Sequence, residues 1–158
     1  MSLLLLNILL AIAWSALTGS FEPVDLLFGF VLGYLVLYVV AGRGKSGQYF
    51  KKIPRILELA LYFLFDLVLA NFRMAGIILS PRMKLRPAVV AVPLILKSEA
   101  AIILLANMMT LTPGTLSLDI ASDRRTIYIH TVYLKDEALF RQQVIQGYEE
   151  RLKELIEP

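Results

Sequence analysis

Leu111-Thr-Pro-Gly-Thr-Leu-Ser-Leu-Asp119 decides how the rest of the sequence is read. Thr112-Pro113-Gly114-Thr115 has the form of a tight turn. Proline pre-sets φ at the first central position, and glycine accepts the positive φ that a type II turn needs at the second. Upstream, Glu99 to Leu111 reads as a short apolar helix. Downstream, Leu116, Leu118 and Ile120 alternate with Ser117 and Asp119, the period of a half-buried strand. Beyond the polar turn Ser122-Asp123-Arg124-Arg125, Thr126 to Tyr133 reads as a second strand. Helix, turn and hairpin in such close succession describe a folded unit.

That unit follows a very different stretch of chain. The sequence is 58% hydrophobic with a net charge of +3 and a mean hydropathy of +0.68. A soluble domain is usually about 45–50% apolar. The excess is uneven: no Lys or Arg precedes Arg43, whereas the last third is charged throughout. A bilayer part followed by an aqueous part is implied. The basic residues cluster beside apolar segments, which fits anionic headgroups and argues against nucleic acid. With no cysteine, disulfides, thiolate catalysis and cysteine-ligated metals are excluded.

Leu3 to Leu17 is apolar except for Asn7, and its start lacks the basic residues of a secretory signal. It reads as a retained transmembrane helix. Thr18 to Pro23 breaks the run, and Val24 to Ala41, with its flanks, is long enough to cross about 30 Å of hydrocarbon. Trp14 and Phe21 lie toward the shared turn, where aromatic rings favour the interface. The turn carries no Lys or Arg, while Arg43, Lys45, Lys51, Lys52 and Arg55 follow the second span with no acid among them. The positive-inside rule makes that side, and the N-terminus, cytoplasmic. Gly29 and Gly33 form a G-x-x-x-G pair, and Ala11 and Ser15 a small-x-x-x-small pair. Both are candidates for close helix packing; the equally weighted alternative is that glycine is simply common in membrane helices.

Ile53 to Leu79 is apolar but interrupted by Glu58, Asp66 and Arg73. At about 100° per residue these three fall within roughly 80° of one another. A third span would bury two carboxylates and a guanidinium, and would place Arg82, Lys84 and Arg86 outside. An amphipathic helix in the cytoplasmic interface, with Glu58, Asp66 and Arg73 as its polar face, avoids both costs. Residues 43–55 and 80–87 read as linkers.

Ala88 to Leu96 reads as a strand, placed at an edge by Pro93, which has no N–H for a ladder. Ser98 and Asp136 are candidate N-caps. In the last helix Phe140, Val144, Tyr148, Leu152 and Leu155 share a face, with Arg141, Glu149, Glu150, Lys153 and Glu154 mostly elsewhere. The expected architecture is a membrane protein: a transmembrane hairpin over 1–42, a basic linker and interfacial helix over 43–87, and a small cytoplasmic α+β domain, β-α-β-β-α, over 88–158.

Few residues of the sequence stand in a pattern that chemistry requires. Gly44-Lys45-Ser46 resembles the end of a phosphate loop, but position 39, where that motif needs glycine, is Val. His130 is the only histidine and has no second ligand nearby in sequence. Ser117 and Ser122 lack a G-x-S-x-G context. Asp119, Asp123 and Arg124 occupy hairpin positions where such residues serve turns. Glu58 and Asp66 could relay protons; the simpler role is the polar face of an interfacial helix, with Arg73 as partner for Asp66. No catalytic residue, cofactor or metal ligand is assigned.

The run Leu96 to His130, "LKSEAAIILLANMMTLTPGTLSLDIASDRRTIYIH", with "RPAVVAVPL" at 86–94, resembles the E subunit of the Mrp-type multisubunit monovalent cation/proton antiporters. "LTPGTLSLD" is its most specific piece, and the resemblance extends over nearly the whole chain. It implies a multi-pass component of a bacterial cytoplasmic membrane complex that exchanges sodium, or in some members potassium, for protons. It implies partners in the other subunits, with the ion paths in the large ones, and a non-catalytic accessory role in assembly and transport. The rival readings are a stand-alone membrane-anchored module that recruits a cytoplasmic partner and, with less to support it, a small membrane enzyme.

Overall fold

The computed structural model describes residues 3–41, 47–81 and 85–157. Gly44-Lys45-Ser46, Arg43, Arg82 and Lys84, singled out above, lie outside them. The chain divides into two compact units, Met1–Pro54 and Arg55–Pro158. Its elements are α1 (Leu3–Thr18), α2 (Pro23–Ala41), α3 (Gly47–Leu79), β1 (Ala88–Pro93), α4 (Glu99–Leu111), β2 (Thr115–Ile120) and β3 (Thr126–Thr131). A final helical rod follows: α5 (Glu137–Val144), a π turn (Ile145–Glu149) and α6 (Glu150–Ile156).

In the first unit α1 ends at Gly19, whose φ of 72° is the left-handed cap that glycine supplies without strain. The chain reverses there and α2 runs back along α1. Asn7, Ala11 and Ser15, four residues apart, form the buried stripe of α1, and Gly29, Gly33 and Leu37 that of α2. A Cβ on Gly29 would lie 2.9 Å from Trp14 Cβ and 3.0 Å from the Ala11 carbonyl oxygen. A Cβ on Gly33 would meet Asn7 Oδ1, and Leu10 Cβ at 3.1 Å. Only glycine permits that approach. Most other side chains of both helices point outward and are apolar. Among the described residues one helical stretch, Pro23–Val40, is long and apolar enough to cross a membrane. The 16 residues of α1 reach only about 24 Å at 1.5 Å per residue.

α3 is one helix of 33 residues with Pro54 inside it. Proline has no N–H for the carbonyl four residues earlier. That carbonyl, on Phe50, accepts from the Tyr34 hydroxyl at 3.4 Å.

In the second unit β1, β3 and β2 form an antiparallel sheet in that order. Among the described residues β1 pairs only with β3, and Pro93 closes it at an edge. The strand stops there rather than at Leu96, although Leu94 N–H still donates to the Arg125 carbonyl at 2.8 Å. The inner sheet face, with Val90, Val92, Ile127 and Ile129, packs in one core with Leu105 of α4 and Val144, Tyr148 and Leu152 of the last rod. Leu59 of α3 joins the same core. The expected α+β domain is present, and its three strands form one antiparallel sheet. Its compact unit, however, begins within α3 at Arg55, because α3 packs on the domain instead of acting only as a link to it.

The π turn has a cause in the sequence. Phe140, Val144, Tyr148 and Leu152 keep a strict four-residue spacing over three turns. An α-helix advances about 3.6 residues per turn, so such a stripe drifts by roughly one residue over three turns. One π turn absorbs that residue and keeps the stripe on the core.

Candidate functional site

α3 presents two unlike faces. On a helical wheel Leu57, Leu61, Leu64, Phe65, Val68, Phe72 and Leu79 fall within roughly 100°, and all are exposed, Phe72 at 73% and Leu79 at 81%. The opposite side carries Arg55, Glu58, Tyr62 and Asp66, spaced by three or four residues, and meets the last rod in antiparallel sequence. Arg55 donates to the Glu154 carbonyl at 2.8 Å. Arg151 Nε lies 3.2 Å from Glu58 Oε1, and its guanidinium sits 4.3 Å over the Tyr62 ring. Tyr62 and Tyr148 meet edge to face at 5.2 Å. Gly147, in the π turn, lets the Tyr62 ring close: an added Cβ would be 3.1 Å from Tyr62 Cζ. The Tyr148 hydroxyl donates to Asp66 Oδ2 at 2.5 Å.

These contacts differ in weight. Glu58 is 63% exposed in its pair with Arg151, so solvent screens that attraction to a few tenths of a kcal/mol. The Tyr148–Asp66 bond ends on a carboxylate and is worth about 1.5–3 kcal/mol. Burial, then the Asp66 carboxylate, push the Tyr148 phenol above its ordinary range.

The next residue of the rod, Glu149, is fully buried. Its Oε2 accepts from Ile95 N–H at 2.9 Å, and its Oε1 has no hydrogen-bond partner among the described residues. Burial pushes its carboxyl up to about 7, against the pull of the Ile95 bond. At the chain end Glu157 accepts from Lys97 N–H at 2.7 Å and from Ser98 N–H. Those bonds hold its carboxyl below the usual range and tie the rod to the start of α4. Ser98 is the N-cap position of α4, but its side chain makes no capping bond; Asp136 caps α5 through Leu139 N–H at 2.9 Å.

Beside the seam a cleft of ≈ 460 Å³ opens between α3 and the domain. Phe65, Leu69 and Ile77 line one wall, Leu139 the other, and Pro113-Gly114 one end. The turn has Thr115 N–H on the Thr112 carbonyl at 3.2 Å and a φ of 92° at Gly114, which is type II geometry. Gly114 also sits where a Cβ would lie 2.8 Å from Met74 Cε of α3.

With this architecture in view, the relatives become informative. A family profile described as "Na+/H+ ion antiporter subunit" matches residues 7–155. The chain belongs to this antiporter subunit family. It is 35% identical over 152 residues to the Na(+)/H(+) antiporter E subunit of Alkalihalophilus pseudofirmus, covering 96% of each chain. It is 35% identical over 153 residues to the corresponding E1 subunit of Staphylococcus haemolyticus, covering 97% of this chain and 94% of that one. Among solved structures, a chain of the membrane-bound sulfane sulfur reductase, an archaeal respiratory membrane complex, superposes with a TM-score of 0.61 at 26% identity, over 99% of this chain and 100% of that chain.

For this antiporter subunit the residues singled out in the sequence fall into three places. Ala11, Ser15, Gly29 and Gly33 lie together between α1 and α2. Pro113 and Gly114 border the cleft. Glu58 and Asp66 meet the last rod, and Arg73 lines the cleft. Asp66 takes its hydrogen bond from Tyr148 and not from Arg73, the partner expected from the sequence. His130 lies on the outer sheet face, between Val89 and Leu116 in register. Among the described residues no group of three His, Asp or Glu is placed to hold a metal ion. Glu149, expected mostly away from the apolar face, is instead buried, because the π turn rotates it inward. Sequence reading missed Tyr62, Glu149 and Arg151. For Glu149 a signal existed in the overlong four-residue spacing; for Tyr62 and Arg151, which act across elements far apart in sequence, none did.

Proposed function

We propose that this chain is a non-catalytic accessory component of a multisubunit Na+/proton antiporter complex, supporting its assembly and transport. In this reading α1 and α2 form a hairpin through the bacterial cytoplasmic membrane, packed through Gly29 and Gly33. α3 lies in the cytoplasmic interface with its apolar stripe in lipid, and the α+β domain is cytoplasmic. The other subunits are its partners.

The observation that carries the reading is the extent of the likeness. It runs through the apolar helices, α3 and the domain alike, over 96% of a relative that is itself the E subunit of an antiporter. The two faces of α3 support its placement. A helix crossing the bilayer would expose Glu58, 63% accessible, and Arg73 to hydrocarbon, at about 2.5–3.5 kcal/mol for each charge near the centre. A helix on the surface keeps its exposed leucines and phenylalanines in lipid and its polar side on the domain. The basic residues 43–55 hold that side in the cytoplasm.

The test is deletion of this gene in a host that depends on the complex for sodium tolerance. The expected result is loss of the intact complex in native gels and loss of sodium-driven proton exchange in membrane vesicles. Both should return with the full chain. An intact, exchanging complex without this chain would favour a stand-alone recruiting module instead.

A further inference from the structure

The cleft beside the seam has a property that accessory packing does not use. Its acids are engaged: Asp66 accepts from Tyr148 at 2.5 Å, and Asp136 caps Leu139 N–H at 2.9 Å. Its cations are not. Arg73 and Lys135 both line the cleft and are exposed, and neither forms an ion pair within the described residues. The remaining lining is largely apolar. The volume of ≈ 460 Å³ lies in the ordinary range for small-molecule sites, about 300–1,000 Å³. Phe65 and Leu69 belong both to the cleft and to the exposed apolar side of α3. The cleft is therefore continuous with the surface assigned above to lipid.

We infer that this cleft binds one anionic phospholipid from the membrane surface, its acyl chain along Phe65, Leu69 and Leu139 and its phosphate on Arg73 and Lys135. The inference rests on the interfacial reading of α3. A molecule already lying in the bilayer surface reaches the cleft along Phe65 without exposing its chain to water. The guanidinium of Arg73 offers paired donors to phosphate oxygens, and Lys135 adds a second charge. Neither cation is held in an ion pair within the described residues, so both can turn to the phosphate of an anionic head. A bound lipid would also bridge α3 and α5, adding to the contacts of the seam.

The assembled complex, purified from cells and placed in nanodiscs, provides the test. The probes are phosphatidylglycerol and phosphatidylcholine carrying a photoactivatable group at the end of the acyl chain. Phosphatidylglycerol should crosslink to peptides from 109–115 and 131–144, with phosphatidylcholine at least tenfold weaker. Arg73→Gln with Lys135→Gln, both surface changes, should abolish that preference. Leu139→Trp, which fills the wall without touching the charges, should reduce crosslinking of both lipids. Equal crosslinking of the two lipids, no effect of the charge variant, or a neighbouring protein's segment filling the cleft in the assembled complex would each overturn the inference. A spin label at Leu61 reports separately on the reading beneath it. A label at headgroup depth with an empty cleft defeats only the lipid site, whereas a label at the bilayer centre defeats the interfacial placement as well.

Discussion

Within themselves, the two units are held together by opposite means. In the first, Gly29 and Gly33 bring α2 against Ala11 and Trp14 with no charged side chain in the contact. In the second, α3 meets the last rod through Glu58, Tyr62 and Asp66 on one side and Arg151 and Tyr148 on the other. The contrast is the one expected if, as proposed, the first contact forms in lipid and the second beside water. In lipid an apolar side chain gains nothing by leaving its surroundings, so helices associate by close backbone approach. Beside water, burial of Leu59 and the tyrosine rings drives association, and polar pairs fix its register.

The comparison breaks first where backbones touch. Gly33→Leu places a side chain on Asn7 and Leu10 in the first unit, and the expected result is at least a tenfold loss of intact complex in native gels. Gly76, on α3, has nothing within 4 Å of an added Cβ, and Gly76→Leu should leave the complex at wild-type levels. Equal behaviour of the two variants would remove the distinction between the units.

Next in size is a pH effect confined to the second unit. The Glu149 carboxyl stands at about 7 in the folded chain against an ordinary 4.5. Below about pH 4.5 it is protonated whether folded or unfolded, and the stability is intact. As pH rises toward 7 the unfolded chain loses this proton first, so the folded state is progressively disfavoured, by about 3 kcal/mol in all. Above 7 the loss is complete and constant. The melting temperature of the detergent-solubilised chain should therefore fall by roughly 6–12 °C over this interval from this group alone. Glu149→Gln keeps an acceptor for Ile95 N–H and should remove most of that slope. An unchanged slope would show that the carboxyl is not held neutral.

Gly114→Val forces a β-branched residue to a φ of 92° and against Met74 Cε and Val132 Cγ2. The strain alone costs about 1–3 kcal/mol, and limited proteolysis should cut the domain while α1 and α2 remain in the membrane fraction. Of similar size, Tyr148→Phe removes the bond to Asp66 and should cost about 1.5–3 kcal/mol. Glu58→Gln, at a screened pair, should change stability by less than about 0.5 kcal/mol. Thermal melts of the two variants rank these contacts, and a larger loss for Glu58→Gln would invert the account of the seam.

Much of the fold was legible because local chemistry decides it. Helix α4 runs from Glu99 to Leu111 and β2 from Thr115 to Ile120, as the Pro113-Gly114 turn and the alternation around Ser117 imply. Asp136 caps α5 because its position before an apolar periodic run admits little else. The far-reaching contacts were not legible. Asp66 and Tyr148 lie 82 residues apart, and nothing in a single sequence says which element will cover the polar side of α3. The burial of Glu149 depends on a one-residue change of helical pitch, which the Phe140–Leu152 spacing carries but which α-helical periodicity hides. The start of α3 at Gly47, ahead of Pro54, was obscured because proline usually ends a helix; here Tyr34 occupies the carbonyl that proline leaves bare.

The central claim is that one chain is divided between two solvents, with α3 at their boundary and the domain inside the cell. Because the sequence has no cysteine, a single introduced one reports alone. Glu150→Cys, exposed on α6, and Phe72→Cys, on the apolar stripe, should be treated with a membrane-impermeant maleimide in intact cells and in inverted vesicles. Position 150 is predicted to label only in inverted vesicles, and position 72 only after detergent is added. Labelling of position 150 in intact cells would put the domain outside and contradict the claim.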